Sequence, residues 1–393
     1  MRHDFYLAWR YLRHHKTRSL ILVACLSLLA LLPLALHWML DEGGRLMTAR
    51  AAATPLLVGA KGSAVDLTLN ALYFSEAAGS RVSMAEADRI SETGWADPLP
   101  VYARFRVQGH PLVGVTLDYF DFRHLAPSQG AMLAMLGECV LGADAAADLR
   151  LKPGDTLLTA PENLFDLAGV YPLKLRVAGT LAKSHSPDDQ AVFVDLQTAW
   201  VIDGLGHGHA EPKQAGPGAA AFGQADAKLA ADAKLVTYTE ITPENLDSFH
   251  FHGDPSTYPV SAVIALPHDR KSSTLLRGRY LDPGQNTQIV QPLATTRGLL
   301  QNIFRLQVLF DAVLVLVGGA TLLALGLVFA LSLRLRQKEI QTIFLLGCSR
   351  LTMARLVAAE CVLIALASAA VCLALLQPVQ YYAGGLVRRF VIP

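Results

Sequence analysis

Leu20-Ile21-Leu22-Val23-Ala24-Cys25-Leu26-Ser27-Leu28-Leu29-Ala30-Leu31-Leu32-Pro33-Leu34-Ala35-Leu36-His37-Trp38-Met39-Leu40 carries no formal charge and is interrupted only by Pro33 and His37. A helix needs about 20 apolar residues to cross the hydrocarbon core of a bilayer, so this stretch predicts a membrane span over residues 20–40. Two more runs meet the same requirement: 308–333, apolar except for Asp311 near its start, and 356–376, apolar except for Glu360. A single run of this kind is equally the buried helix of a large soluble core. Three of them, each with charges on one flank, predict a membrane bundle.

Composition agrees. Apolar residues make up 52% of the 393-residue chain, charged residues 17%, and mean hydropathy is +0.34. Soluble domains hold about a quarter charged residues and somewhat fewer apolar ones. The formal net charge of +1 offers no global attraction to nucleic acid, and none is expected as a partner.

Orientation follows from Lys and Arg beside the spans. Residues 1–19 hold Arg2, Arg10, Arg13, Lys16 and Arg18 against one acid, Asp4; residues 334–355 hold Arg334, Arg336, Lys338, Arg350 and Arg355 against Glu339. Both segments are expected in the cytosol. Residues 41–305 then lie outside, with 29 acidic and 22 basic side chains. A cleaved signal peptide has a shorter apolar core, and the small-residue stretch Ala49 to Ala53 lies far beyond this one, so the first span is expected to be an uncleaved anchor. Only Cys139 of the five cysteines falls outside, which leaves the outer domain without an internal disulfide.

The roughly 265 residues between the first two spans are enough for one or two folded domains. Their edges read as helices carried out of the membrane as a stalk: Asp41 to Ala53, and Thr295 to Gln307 with Leu299, Leu300, Ile303, Phe304 and Leu306. Alternation at Val101 to Val107 and Leu173 to Val177, and the apolar Ala191 to Val194, predict strands. Residues 138–157 read as strand, helix, turn, strand, with Pro153-Gly154-Asp155 as the turn. The expected fold is an α-helical bundle of three spans with a large α+β extracytoplasmic domain on a helical stalk. Residues 204–233 are rich in Gly, Ala, Lys and Gln and mark a flexible insertion, His-containing over about 204–260.

The segment Arg334-Leu335-Arg336-Gln337-Lys338-Glu339-Ile340-Gln341-Thr342-Ile343-Phe344-Leu345-Leu346-Gly347-Cys348-Ser349-Arg350 reads as a short amphipathic helix at the cytosolic face. It resembles the coupling segment of the MacB/FtsX/LolE family of ABC-transporter permeases, with Glu360 matching the acid that often opens the family's next span. Val140-Leu141-Gly142…Leu151-Lys152-Pro153-Gly154-Asp155 is similar to the family's ectodomain turn, and Phe193-Val194-Asp195-Leu196-Gln197-Thr198-Ala199 to its strand followed by a helix cap. The likeness covers essentially the whole chain. It departs in one respect: 377–393, with Pro378, Gly384, Gly385, Arg388 and Arg389, is too short and polar for the family's fourth span and is expected as an extracytoplasmic tail. The chain is either a three-span variant or one whose terminus has been lost.

The resemblance implies a non-catalytic permease subunit, working as a homodimer with separate ABC ATPase subunits in a bacterial inner membrane. A periplasmic or lipoprotein partner would complete it. Arg336, Lys338, Glu339, Ile340, Phe344, Leu345 and Gly347 would meet the ATPase; the plainer reading of the same segment is a basic anchor for lipid headgroups. The chain has no Gly-x-x-x-x-Gly-Lys-Ser/Thr loop, no Gly-x-Ser-x-Gly elbow and no His-Glu-x-x-His helix, so ATP is expected only through the partner subunit.

Histidine supplies one further candidate. His207-x-His209 and His250-x-His252 would each present two imidazoles on one face of a strand, with His268 nearby in sequence. Imidazole suits zinc, copper or nickel, and Asp203, Glu211, Asp247 or Asp254 could complete a site. Scattered loop histidines are the bland alternative. A metal site would tie the transporter to metal homeostasis, or make the chain a metal-binding membrane receptor instead.

Overall fold

A computed structural model describes residues 2–75, 80–159, 172–208, 239–282, 284–335 and 349–390. They form two compact units, one drawn from the ends of the chain (Met1–Leu46 and Gly298–Val391) and one from its middle (Met47–Arg297).

The terminal unit is helical, built from Arg2–His14, Lys16–Ala52, Pro292–Leu335 and Arg350–Phe390, the second contributing only up to Leu46 and the third only from Gly298. Two helices are long and apolar enough to span a bilayer, Lys16–Ala52 and, within the last helix, Ala354–Tyr382. Only 11% and 28% of their most apolar windows are buried, unlike the mostly buried core helix of a soluble protein. Leu20, Leu28, Leu316, Leu366 and Leu373 all stand more than half exposed. Water would penalise such surface heavily, whereas lipid chains would not. The expected span at 308–333 is helical, but the apolar stretch among its described residues is the shorter Asp311–Leu323, so the count of three is not reached there.

The last helix runs on beyond the expected span. It does not stop at Leu376 but continues through Pro378 to Phe390. Proline removes one backbone hydrogen bond, and a long helix with intact ladders on both sides absorbs that loss. Small residues let these helices approach closely. Ala8 and Ala359 are buried, and Ser27 Oγ donates to the Val23 carbonyl at 2.6 Å and to the Ser368 carbonyl at 3.2 Å. Ser and Ala at an interface of this kind bring helix backbones together without the hydrophobic effect. Glu360 is packed inside the unit and does not reach outward, while Asp311 is exposed.

The middle unit is a mixed sheet flanked by short helices. Its first strands are β1 (Leu56–Ala60), β2 (Val82–Ser83), β3 (Ala96–Val107), β4 (His110–Val115), β5 (Pro127–Gly130), β6 (Glu138–Leu141), β7 (Thr156–Leu158) and β8 (Leu173–Leu181). Then follow β9 (Val192–Asp195), β10 (Gly206–Gly208), β11 (Thr239–Glu240), β12 (Phe249–Phe251), β13 (Pro259–Val260), β14 (Ala262–Pro267) and β15 (Thr287–Val290). Among the described residues the main sheet runs β11-β8-β6-β9-β4-β3-β14-β1-β15, with β5 and β7 also paired to β8. β10 pairs with β12, and β2 with β13, as two small separate sheets.

The mixture has a local cause. β6 and β8 are parallel, and so are β4 and β9, which requires crossover connections rather than hairpins. The helix Ala143–Leu149, the turn at Gly154 and β7 supply the first crossover, matching the strand, helix, turn and strand read from residues 138–157. Gly154 holds φ +95°, a left-handed conformation that glycine adopts without strain, and the Asp155 carboxylate accepts from the Lys152 amide at 2.7 Å. In β8, Leu173, Leu175 and Val177 are buried while Lys174 and Arg176 face outward, the alternation of a half-buried strand. The central β6 and β9 are buried almost throughout, as strands covered on both faces must be. Asp195 closes β9 and caps the helix Leu196–Ile202 by accepting from the Gln197 amide. Phe193 projects from β9 against Tyr119 and Phe120, with ring centroids at 5.7 and 5.3 Å.

Candidate functional site: a buried ion pair at the end of the first long helix

The last turn of Lys16–Ala52 is an Ala-rich stretch containing one cation, Arg50. Its guanidinium lies inside the sheet domain. Nη1 and Nη2 donate to the two carboxylate oxygens of Asp188 at 2.6 and 2.9 Å, the two-pronged geometry that suits arginine and carboxylate. Nε donates to the Leu72 carbonyl at 2.6 Å, and Nη2 also reaches the Tyr119 hydroxyl at 3.0 Å. The side chains of Arg50 and Asp188 are 7% and 2% exposed.

Four elements hold the pair. Asp188 sits in the single-turn helix Pro187–Gln190, where Ser186 is the N-cap and Pro187 presets the first turn. The neighbouring Asp189 carboxylate fixes that turn from below, accepting from the amides of Ser184 and His185 at 2.8 Å each. Tyr119, on the helix Leu117–Arg123, donates its hydroxyl proton to Asp188 Oδ1 at 2.8 Å. Tyr73, at the end of the helix Ala64–Tyr73, donates to the Met47 carbonyl at 2.7 Å and so grips the same helical turn as Arg50. Arg123 donates to Thr54 Oγ1 at 3.0 Å and lies over the Tyr119 ring. Gly142 completes the seat: a Cβ there would collide with the carbonyl oxygens of Asp188 and Asp189.

Burial opposes both charges, and the pairing overrides it. Desolvation is the strongest influence on the Arg50 guanidinium and works against it, but the Asp188 charge and hydrogen bond, with Tyr119 and Tyr73, together hold the group above its ordinary value. Desolvation likewise raises Asp188, yet Arg50's charge and hydrogen bonds bring it below the usual carboxylate range. Burial, with the Asp188 charge behind it, pushes the Tyr119 phenol up to about 12. Arg123 falls below its usual value through burial and the proximity of Arg50. Arg50 and Asp188 are therefore both charged at neutral pH, and the pair is a fixed ionic bolt. Its role within the middle unit is structural: it ties residues 47–52, the last turns of Lys16–Ala52, to the sheet.

The residues singled out from sequence are distributed differently. Arg336, Lys338, Glu339, Ile340, Phe344, Leu345 and Gly347 lie outside the described residues, as do His209 and Glu211. His207 lies on β10 and pairs in register with His250 on β12. His250 and His252 have ring centroids 4.6 Å apart, and His250 Nδ1 is 3.2 Å from the Ser248 carbonyl. His268 does not join them. It follows β14 in the main sheet, 3.2 Å from Asp97 Oδ1. Asp203 and Asp254 are otherwise engaged, Asp203 by Tyr102, Arg81 and Arg104, Asp254 by the Ser256 amide. Among the described residues no group of three or more His, Cys, Asp or Glu side chains is arranged to hold a metal ion. Arg50, Tyr119 and Asp188 were not anticipated; the signals were the Ser-Pro-Asp-Asp turn at 186–189 and the single cation in the Ala-rich stretch 49–53.

No family model matches the sequence, and no curated protein matches it. Among solved structures, the periplasmic region of MacB from Actinobacillus actinomycetemcomitans is 11% identical with a TM-score of 0.34, covering 63% of this chain and 92% of that one. The extracellular domain of the noncanonic ABC-type transporter YknZ from Gram-positive bacteria is 11% identical with a TM-score of 0.33, covering 60% and 98%. A domain of a protein titled as a permease from Porphyromonas gingivalis is 12% identical with a TM-score of 0.27, covering 54% and 78%. Likeness at these scores does not decide a function.

Proposed function

We propose that this chain is the membrane-spanning permease subunit of an ABC transporter, with ATP hydrolysed on a separate subunit. The observation that supports the reading is the pair of long apolar helices, the first of which ends in residues of the middle unit that the Arg50–Asp188 ion pair holds. A helix so fastened can pass a displacement to the domain as a rigid-body shift. The coupling segment at 334–355 would receive the push from the ATPase, and residues 41–305 would do the work outside a bacterial inner membrane. Two copies of the chain would pair with two ATPase subunits, and the third span at 308–333 would complete the bundle. A lipophilic or lipoprotein cargo, or a periplasmic partner receiving force, fits this arrangement. The chain itself would be non-catalytic.

The test is a mild-detergent capture of the tagged chain from native membranes, with mass spectrometry of the partners. An ABC ATPase should co-purify in stoichiometric amount and be lost from a Glu339→Ala/Phe344→Ala variant that still inserts. Recovery of the chain alone, under conditions that preserve other permease complexes, would remove the reading. In that case the second reading, a metal-binding receptor, rests on the His250–His252 ring pair and predicts zinc retention that fails in a His250→Ala/His252→Ala variant.

A further inference from the structure

The Ser19 hydroxyl, near the start of the first long helix, reaches the Leu12 carbonyl at 3.1 Å as well as that of His15, also at 3.1 Å. Leu12 lies 7 residues back. In a straight α-helix that separation is about 10 Å along the axis, too far for one serine side chain to span. The chain therefore bends at His15, and the helix Arg2–His14 leaves the axis of Lys16–Ala52. The bend falls just before Leu20, where the charge-free run begins.

Arg2–His14 is polar on average yet two-sided. Phe5, Ala8, Trp9 and Leu12 follow the i, i+3, i+4, i+7 spacing of one helix face. Ala8 is fully buried, and the helix packs against Arg350–Phe390 within the terminal unit. Packing leaves the rest of the stripe uncovered, with Phe5 41% and Trp9 50% exposed. Arg10 and Arg13 stand outside the stripe, each laid over the aromatic ring one turn back. The Arg10 guanidinium is 5.9 Å from the centre of the Tyr6 ring, and that of Arg13 is 5.5 Å from the centre of the Trp9 ring. Such stacking holds the charges beside the exposed aromatic edge.

Charge selects the partner. Residues 1–19 carry Arg2, Arg10, Arg13, Lys16 and Arg18 against Asp4 alone. A helix with bulky apolar groups on one side and basic ones on the other settles in the plane of a bilayer surface. Tryptophan and tyrosine rings favour the depth of the headgroups, and guanidinium matches phosphate geometry. We infer that Arg2–His14 lies along the cytosolic leaflet and docks on anionic phospholipid headgroups. Phe5 and Trp9 enter the edge of the acyl chains, while Arg10 and Arg13 pair with the phosphates above them. The inference rests on the reading of the long apolar helices as membrane spans and needs no ATPase.

Hydrogen–deuterium exchange of the full chain tests it, in nanodiscs of phosphatidylcholine alone and in nanodiscs with one-third phosphatidylglycerol. Exchange across residues 2–14 should be slower with phosphatidylglycerol, by about fivefold for each arginine engaged, the gain of one basic residue near an anionic surface. High salt should shrink the difference. Arg10→Gln/Arg13→Gln should lose it, and Arg10→Lys/Arg13→Lys should keep most of it; both arginines are exposed, so neither variant disturbs a packed group. Equal exchange in the two compositions, or a difference that survives the glutamine variant, overturns the inference. Protection that appears only when a protein partner is added assigns the surface to that partner and overturns it as well. Residues 20–40 are the separate check. Slow exchange there, with residues 2–14 unresponsive to phosphatidylglycerol, removes this inference alone, whereas fast exchange there removes the membrane reading with it.

Discussion

Arg50 and Asp188 are 138 residues apart in sequence, and neither is free to leave its partner without stranding a buried charge. Removing one member of such a pair costs about 3–5 kcal/mol, whereas replacing both by apolar side chains of similar volume is often close to neutral. Arg50→Met and Asp188→Leu should therefore each lower stability by about 3–5 kcal/mol, and the double variant by clearly less than either. Denaturant unfolding followed through the tryptophans of the middle unit, Trp95 and Trp200, measures this cycle. The pair illustrates what sequence patterns omit. Asp188 was visible as part of a Ser-Pro-Asp-Asp turn and Arg50 as the lone cation of an Ala-rich stretch, but nothing local links them. Partner choice between distant charges is made by the fold that brings four elements to one point. The histidines show the converse. Spacing brought His250 and His252 to one face, and register set His207 against His250, yet His268 went to another sheet because β14 belongs with β3 and β1.

At the scale of elements, periodicity did well where one face of a segment is buried. Strands β3, β8 and β9 fall where alternation and apolar runs put them, and the segment at 138–157 folds as its turn residues require. Chain direction within the sheet was not legible, because parallel and antiparallel partners impose the same alternation on a half-buried strand. The helix beyond residue 376 was not legible, because polarity decides where a helix leaves the membrane, not where it stops being a helix. Gly142 gives an element-scale prediction. The start of the helix Ala143–Leu149 passes so close to the Pro187–Gln190 turn that a methyl group would displace the carbonyls of Asp188 and Asp189. Gly142→Ala should lower the melting temperature and increase hydrogen exchange across residues 184–191, since the displaced turn carries the ion pair. Gly154→Ala, strained by its positive φ but open in space, should cost only about 1 kcal/mol and leave that exchange unchanged.

For the whole molecule, the apolar ends of the chain were legible from hydropathy, and the sheet between them from alternation and turn residues. The mechanical role proposed here requires ATP-driven movement of the helices to reach the sheet domain through the bolt. Hydrogen–deuterium exchange on the purified complex of the chain with its ATPase, with and without a non-hydrolysable ATP analogue, reads this directly. Residues 117–123 and 184–191, which hold Tyr119 and Asp188, should change their exchange on nucleotide binding. In the folded Arg50→Met/Asp188→Leu variant the ATPase should still bind, but the nucleotide-dependent change in those segments should disappear. No change in the unaltered complex, or an equal change in the double variant, would contradict transmission through this ion pair.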